Sequence, residues 1–234
     1  MLSIFAGKTC TMEGFTVAPN SGLYMKDPTG SDTGRRIVAE GTALMERIGF
    51  EAFTFKKLAA AMGSTEATVY RYFENKHRLL LYLVNGYWAG VELRMIAGFA
   101  SAHSPDAKLK TALALLCSEA PAGVPFAGVD GAVLHRLVAA EAPKVWLTKD
   151  VDDENREGFF LAYKRLCGHV ADLISAVAPE YPFPRSLAAT AVEASHAQPY
   201  FARHLPRLSD LPAAGVERDL EAFLTGLVFH TAAR

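Results

Sequence analysis

Cysteine is scarce in this chain, and the little there is forms no pattern. Cys10, Cys117 and Cys167 are odd in number and scattered, with no CxxC pair. That speaks against a disulfide framework or a zinc site, and for a reducing compartment, the cytoplasm. Long apolar runs are missing as well. None approaches the roughly 20 residues of a membrane helix, and residues 1–15 lack the unbroken apolar core of a secretory signal. Charge of one sign is missing too: the formal net charge is −1, so no bulk attraction draws the chain to nucleic acid. Catalytic signatures are equally absent, with no HExxH, no GxSxG and no glycine-rich phosphate loop behind a strand. His135, His169, His196 and His230 fall on four different predicted helices, without metal-ligand spacing. His196, near Glu193 and Tyr200, reads as a helix-surface or interface residue. Cys117 and Cys167 lie on apolar faces and read as packed thiols. The expectation is a protein with no cofactor, no metal and no catalytic activity.

Helical periodicity is what remains. No segment keeps the period-2 alternation of a strand, and there is no internal repeat. Residues 1–30 carry Gly, Pro, Thr, Ser and Asn with little periodicity and read as a largely unstructured extension; Met12 and Met25 are alternative starts. From Ser31 or Asp32 onward, Ile37, Gly41, Leu44 and Ile48 form an apolar stripe with Val38, Thr42 and Met45 beside it, closed by Gly49. A long helix is predicted over 76–99, with Leu79, Leu83, Tyr87, Gly90 and the span Leu93–Ile96 on its buried side. Further helices are predicted over 107–118, 130–142, 154–177, 186–205 and 213–231, punctuated by prolines such as Pro105, Pro143, Pro179 and Pro212. The fold class is all-α: an N-terminal three-helix head over 31–80 and a helical bundle over 81–234.

The most informative stretch is Thr54 to Leu80. Phe55, Leu58, Ala59 and Met62 stand at i, i+3, i+4 and i+7, one apolar face of a short helix. Thr54 precedes them as an N-cap and Gly63 follows as a left-handed C′ residue. Thr65 is placed to cap a second helix, with Glu66 at its positive end. Val69 and Phe73 face the first helix, which leaves Glu66, Ala67, Thr68, Tyr70 and Arg71 outward. This is a helix-turn-helix. Between Ser31 and Leu80 eight basic residues stand against six acidic ones, a balance that fits a few placed cations.

Gly49 to Thr54, the Leu58-Ala59 pair, Met62-Gly63, Thr68 to Phe73, Asn75-Lys76 and Leu79-Leu80 resemble the DNA-binding domain of TetR-family transcriptional regulators. Ser64-Thr65-Glu66-Ala67 departs from the commoner Val-Ser-x-Gly, so no base preference carries over. The resemblance implies a regulator, a repressor, that binds a palindromic operator in double-stranded DNA as a homodimer and responds to a small apolar effector. The expected DNA contacts are Thr54, Glu66, Ala67, Thr68, Tyr70, Arg71, Tyr72 and Lys76, with Arg71 and Tyr72 touching backbone or packing, and Lys76 reaching a phosphate. The bundle then serves ligand binding and dimerisation. Candidate pocket residues are Phe126, His135, Trp146, Phe160, Tyr163 and His169. Candidate interface residues on the last two helices are Leu187, Val192, Leu224, Val228 and Phe229. The competing reading is a helical small-molecule sensor or carrier whose head no longer binds DNA.

Overall fold

Ser31 opens the first helix: its backbone is extended and its hydroxyl accepts the Gly34 N–H at 3.1 Å, satisfying one of the orphan donors of a helix start. The computed structural model describes residues 10–12, 15–17, 19–118 and 126–232. Helix α1 (Asp32–Ala52) buries Ile37, Val38, Leu44 and Met45, the predicted stripe and its flank. Gly49, at φ 77°, interrupts it, and one more turn carries on to Ala52. Helix α2 (Phe55–Ala61) starts at Thr54, whose hydroxyl accepts the Lys57 N–H at 3.2 Å. Gly63, at φ 61°, ends it while the Ser64 N–H donates to the Ala59 carbonyl at 2.8 Å, a left-handed stop that costs glycine little. Helix α3 (Glu66–Tyr70) follows Thr65. The expected cap is not made: the Thr65 hydroxyl sits 3.1 Å from the Thr68 hydroxyl instead of on a backbone N–H.

Helix α4 (Lys76–Gly98) is buried at every residue from Leu79 to Trp88, as a run apolar but for Asn85 requires, and the Asn85 amide donates to the Leu81 carbonyl at 3.0 Å. Its expected buried side fails at the far end. Ile96 is exposed and Leu93 half-exposed, whereas Glu92 is buried. The remaining helices are α5 (Pro105–Cys117), α6 (Gly131–Glu141), α7 (Pro143–Trp146), α8 (Val151–Arg156), α9 (Leu161–Val177), α10 (Pro184–His204) and α11 (Glu217–Ala232). The helix expected over 154–177 is in fact two, since Gly158 at φ 81° breaks it between α8 and α9. Cys10–Met12 and Phe15–Val17 form a short antiparallel pair, Cys10 opposite Val17.

Residues up to Gly90, with those from 120 to Ala162, make one compact unit; Val91 to 119, with Tyr163 onward, make the other. In the first unit the supposed extension is docked from Asn20 onward. Two short 3₁₀ turns, Ser21–Leu23 and Pro28–Gly30, are each started by an Asx side chain, Asn20 and Asp27. Leu23 is 1% exposed. The Tyr24 ring meets Tyr82 edge-on at 6.0 Å, and the Met25 N–H donates to the Tyr72 carbonyl at 2.8 Å. The Asn20 side chain donates to the Glu157 carbonyl at 2.9 Å. The expectation of a largely unstructured stretch therefore fails for residues 20–30. Their anchors are single side chains in a non-helical segment, which no periodicity reveals.

In the same unit α6 joins α1. Glu141 accepts the Phe50 N–H at 3.0 Å and pairs with Lys144 at 2.7 Å, while Arg136 donates to Glu46 at 2.7 Å. His77 reaches both oxygens of the buried Glu154, at 3.0 and 3.2 Å.

In the second unit Leu187, Val192, Leu224 and Val228 are each 5% exposed or less within one chain, on helices α10 and α11 that pack together. The expected interface residues thus form the chain's own core, and of the five only Phe229 is half-exposed. His196 is also buried rather than superficial, its Nδ1 2.9 Å from the Ser195 hydroxyl. Cys117 is buried and Cys167 half-buried. Burial, with Glu221 and Glu217 nearby, pushes Cys117 up to about 12, and burial pushes Cys167 up to about 11. They are packed, unreactive groups.

Buried Glu92 is neutralised from α9. Arg165 donates to both its oxygens, Nε and Nη2 each at 2.8 Å, and His169 Nε2 lies 3.2 Å away. Burial alone would raise the Glu92 carboxyl, but the hydrogen bonds from His169 and Arg165 outweigh it and hold it below the usual range. The same hydrogen bond lifts His169 above ordinary imidazole, against burial. A lowered acid stabilises the fold above its unfolded value, and a raised histidine does so below its own. The cluster's contribution is therefore complete between about pH 4.5 and 6.5, lost as acid protonates Glu92 and as base deprotonates His169. We predict that the melting-temperature gap between wild type and Glu92→Gln peaks in that window. A gap that is flat with pH refutes this assignment.

Candidate nucleic-acid interface

The head presents one continuous polar row. Glu66 and Ala67 on α3 are exposed, Thr68 is half-buried, and Tyr70 is 50% exposed, with Arg71 exposed immediately after it. Behind the row Val69 and Phe73 are fully buried against α2, whose Leu58 is also sealed. The Tyr70 ring rests edge-on against Phe55, centroids 4.9 Å apart. That contact holds the phenol in place while its outer half stays in solvent. Thr54 stands exposed at the start of α2, where free backbone N–H groups suit a phosphate. All five of these positions and Arg71 lie at least partly open to solvent on the head.

Two of the expected contacts are placed otherwise. Tyr72 is 2% exposed, and its hydroxyl is 2.8 Å from the Ser31 hydroxyl. Its carbonyl receives the Met25 N–H, so it is a packing residue that ties the start of α1 and the docked N-terminal segment to the head. Lys76 turns back to the end of α1. Its ammonium donates to the Phe50 carbonyl at 2.9 Å and the Glu51 carbonyl at 3.2 Å, over the Phe50 ring. Two of its three donors are thus used within the chain. Sequence reasoning also missed Arg36, which donates to the Met62 carbonyl at 3.0 Å and fixes the end of α2 against α1. No local pattern signals a partner 26 residues away.

The six candidate pocket residues divide between the units. Phe126, His135, Trp146 and Phe160 belong to the first, Tyr163 and His169 to the second. His135 is buried with Nδ1 2.8 Å from the Tyr87 hydroxyl. Tyr163 donates to Glu193, and burial raises its phenol. A cavity of about 370 Å³ in the first unit is lined by Phe50, Glu51, His77, Pro143, Lys144, Leu147 and Thr148, none of them among the six. Among the described residues no cluster of His, Cys, Asp or Glu could hold a metal, and no helix is long and apolar enough to cross a membrane.

Residues 37–83 match the family described as bacterial regulatory proteins, tetR family. No curated protein matches the chain. Among solved structures the fold is shared with AibR in complex with isovaleryl coenzyme A and operator DNA: 16% identity over 83% of this chain and 98% of that one, TM-score 0.56. The superantigen PfiT matches at 15% identity over 86% and 97%, TM-score 0.56. The ketosteroid transcriptional regulator KstR2 of Mycobacterium tuberculosis matches at 13% identity over 86% and 94%, TM-score 0.54. A regulator and a superantigen on one fold show that the fold does not decide function. Residues 37–83 thus carry the sequence of a tetR-family regulatory head, and the chain as a whole shares its fold with the solved structures above.

Proposed function

We propose that this protein represses transcription as a homodimer on a palindromic operator and is released by a small, apolar effector, without chemistry of its own. One observation carries the reading: Glu66, Ala67, Thr68 and Tyr70 stand outward on a short helix whose inner face is locked into the head. A major groove admits one such helix, and short side chains then touch base edges. Thr54 and Arg71 set the register on phosphates, and Lys76 has one N–H left for the same task. The reading of a sensor with a degenerate head is disfavoured, because the capped α2, the left-handed Gly63 and the outward row are all intact. That AibR was solved with both an acyl coenzyme A and operator DNA supports pairing an effector with DNA release. Two heads must match half-sites about 34–36 Å apart; an effector that favours a different separation lowers affinity. Selection from a random duplex library tests the reading. A palindromic site should emerge, with affinity falling steeply with salt; no enrichment overturns it.

The dimer surface moves to what α11 leaves uncovered. Phe223 is 42% exposed, Leu227 half-exposed and His230 exposed, spaced four and three residues apart on one face. Phe223→Glu should give a folded monomer by light scattering, with operator affinity reduced at least about 100-fold, since one head reads only a half-site. A wild-type chain that is itself monomeric at micromolar concentration sinks the dimer.

A further inference from the structure

Gly86 lies in the middle of the most thoroughly buried part of α4, where glycine is a poor helix former and any larger apolar residue would add to the core. The reason for it is a ring. A Cβ on Gly86 would stand 2.2 Å from Cζ of Phe126 and 2.4 Å from both its Cε atoms. The phenyl therefore points tip-first at the α4 backbone, and it is 4% exposed. Tyr82, one helical turn earlier, flanks it with ring centroids 5.2 Å apart and planes 36° apart. This space accepts a flat six-membered ring and rewards it with an aromatic neighbour.

The residue that fills the space lies outside the helices. Phe126 sits in the turn Phe126–Val129, where the Val129 N–H donates to the Phe126 carbonyl at 2.9 Å. Ala127 in that turn has φ 50°, and among the described residues it is the only non-glycine with positive φ, a strained conformation for a side chain with a Cβ. Strained turns outside the regular helices open more readily than the helices themselves. A fixed core would more simply be built with a larger residue at position 86 and no inserted turn.

We infer that the space over Gly86 is a binding site for the aromatic ring of a small apolar ligand, with Phe126 as its displaceable internal occupant. The ring site stands on its own geometry; only its consequence for DNA, release when an aryl-bearing effector expels Phe126, rests on the repressor reading above. Toluene is the probe. Removing the occupant with Phe126→Ala leaves an apolar, ring-sized hole of the kind that stays dry and takes up benzene-like molecules. Saturating toluene should raise the melting temperature of the full-length variant by a few degrees, half-saturating at a concentration at least about tenfold lower than for wild type, which must first expel its own ring. No rise in the folded variant, or equal dependence in the two chains, overturns the inference.

Gly86→Ala tests it independently, even where Phe126→Ala does not fold. The new methyl must expel the ring, so far-UV circular dichroism should stay native-like while thermolysin cleaves at Phe126 or Val129 at least about tenfold faster than in wild type. Loss of the fold, or retention of wild-type resistance at those bonds, shows Phe126 to be fixed core and overturns the proposal. Operator DNA enters neither assay. Failure here leaves the DNA reading standing, and a failed operator selection leaves the ring site untouched.

Discussion

Tyr70→Ala should nearly abolish operator recognition while leaving the protein folded. The phenol is half-exposed on α3 and held by its edge contact with Phe55, so its outer half is available to a base. Loss of one good base contact costs about 1–3 kcal/mol, roughly 5- to 150-fold per head, and a dimer loses it twice. The price in stability is the Phe55 contact, about 0.5–1.5 kcal/mol, or a few degrees in melting temperature. Tyr70→Phe separates the two terms, since it keeps the ring contact and removes only the hydroxyl. Lys76→Ala is the contrasting control. Its one remaining donor serves any phosphate, so binding to all duplexes should weaken and the salt slope fall by about one unit. Gel-shift titrations against selected and scrambled duplexes, with circular dichroism melts in parallel, read all three. If Tyr70→Ala binds its operator like wild type, α3 is not the reading helix.

Removal of residues 1–24 should destabilise the protein substantially, contrary to what the sequence of that segment suggests. The truncation exposes the hole left by Leu23, 1% exposed, worth about 1.5–3 kcal/mol of burial. It also loses the Tyr24 edge contact on Tyr82, about 0.5–1.5 kcal/mol. A loss of about 2–4 kcal/mol in a chain of this size lowers the melting temperature by roughly 5–15 °C. The Met25 N–H still reaches the Tyr72 carbonyl, so the head should keep its shape and some affinity at low temperature. Leu23→Ala alone should show a good part of the effect. Identical melting of the truncated and full chains would mean that the segment is not docked in solution.

The head was legible because its rules are local. Thr54 as a cap, Gly63 as a left-handed stop, and Val69 and Phe73 as an inward pair all depend on neighbours within one or two turns. Thr65 shows the limit even there: two hydroxyls three residues apart, Thr65 and Thr68, satisfied each other, and residue type alone does not choose between a backbone and a side-chain partner. Tyr72, read as a backbone contact or a packing residue, is the second for a longer-range reason. Its helix phase leaves it open to either solvent or core, and Ser31 and Met25 decide the matter from far back in the chain.

What the sequence determined by itself is the all-α class, the helix-turn-helix and its outward row, because helical period, caps and glycine stops are written within a few residues of where they act. What only the tertiary structure decided is what each apolar face meets. The stripe of Leu187, Val192, Leu224 and Val228 reads the same whether it closes its own core or a partner's; packing of α10 on α11 put it inside one chain. Glu92 sits in an apolar helix, and its burial is tolerable only because Arg165 and His169 arrive from α9, 73 and 77 residues on. A buried carboxylate needs its counter-charges within hydrogen-bond reach. Distance along the chain carries no information about that; distance in the fold does.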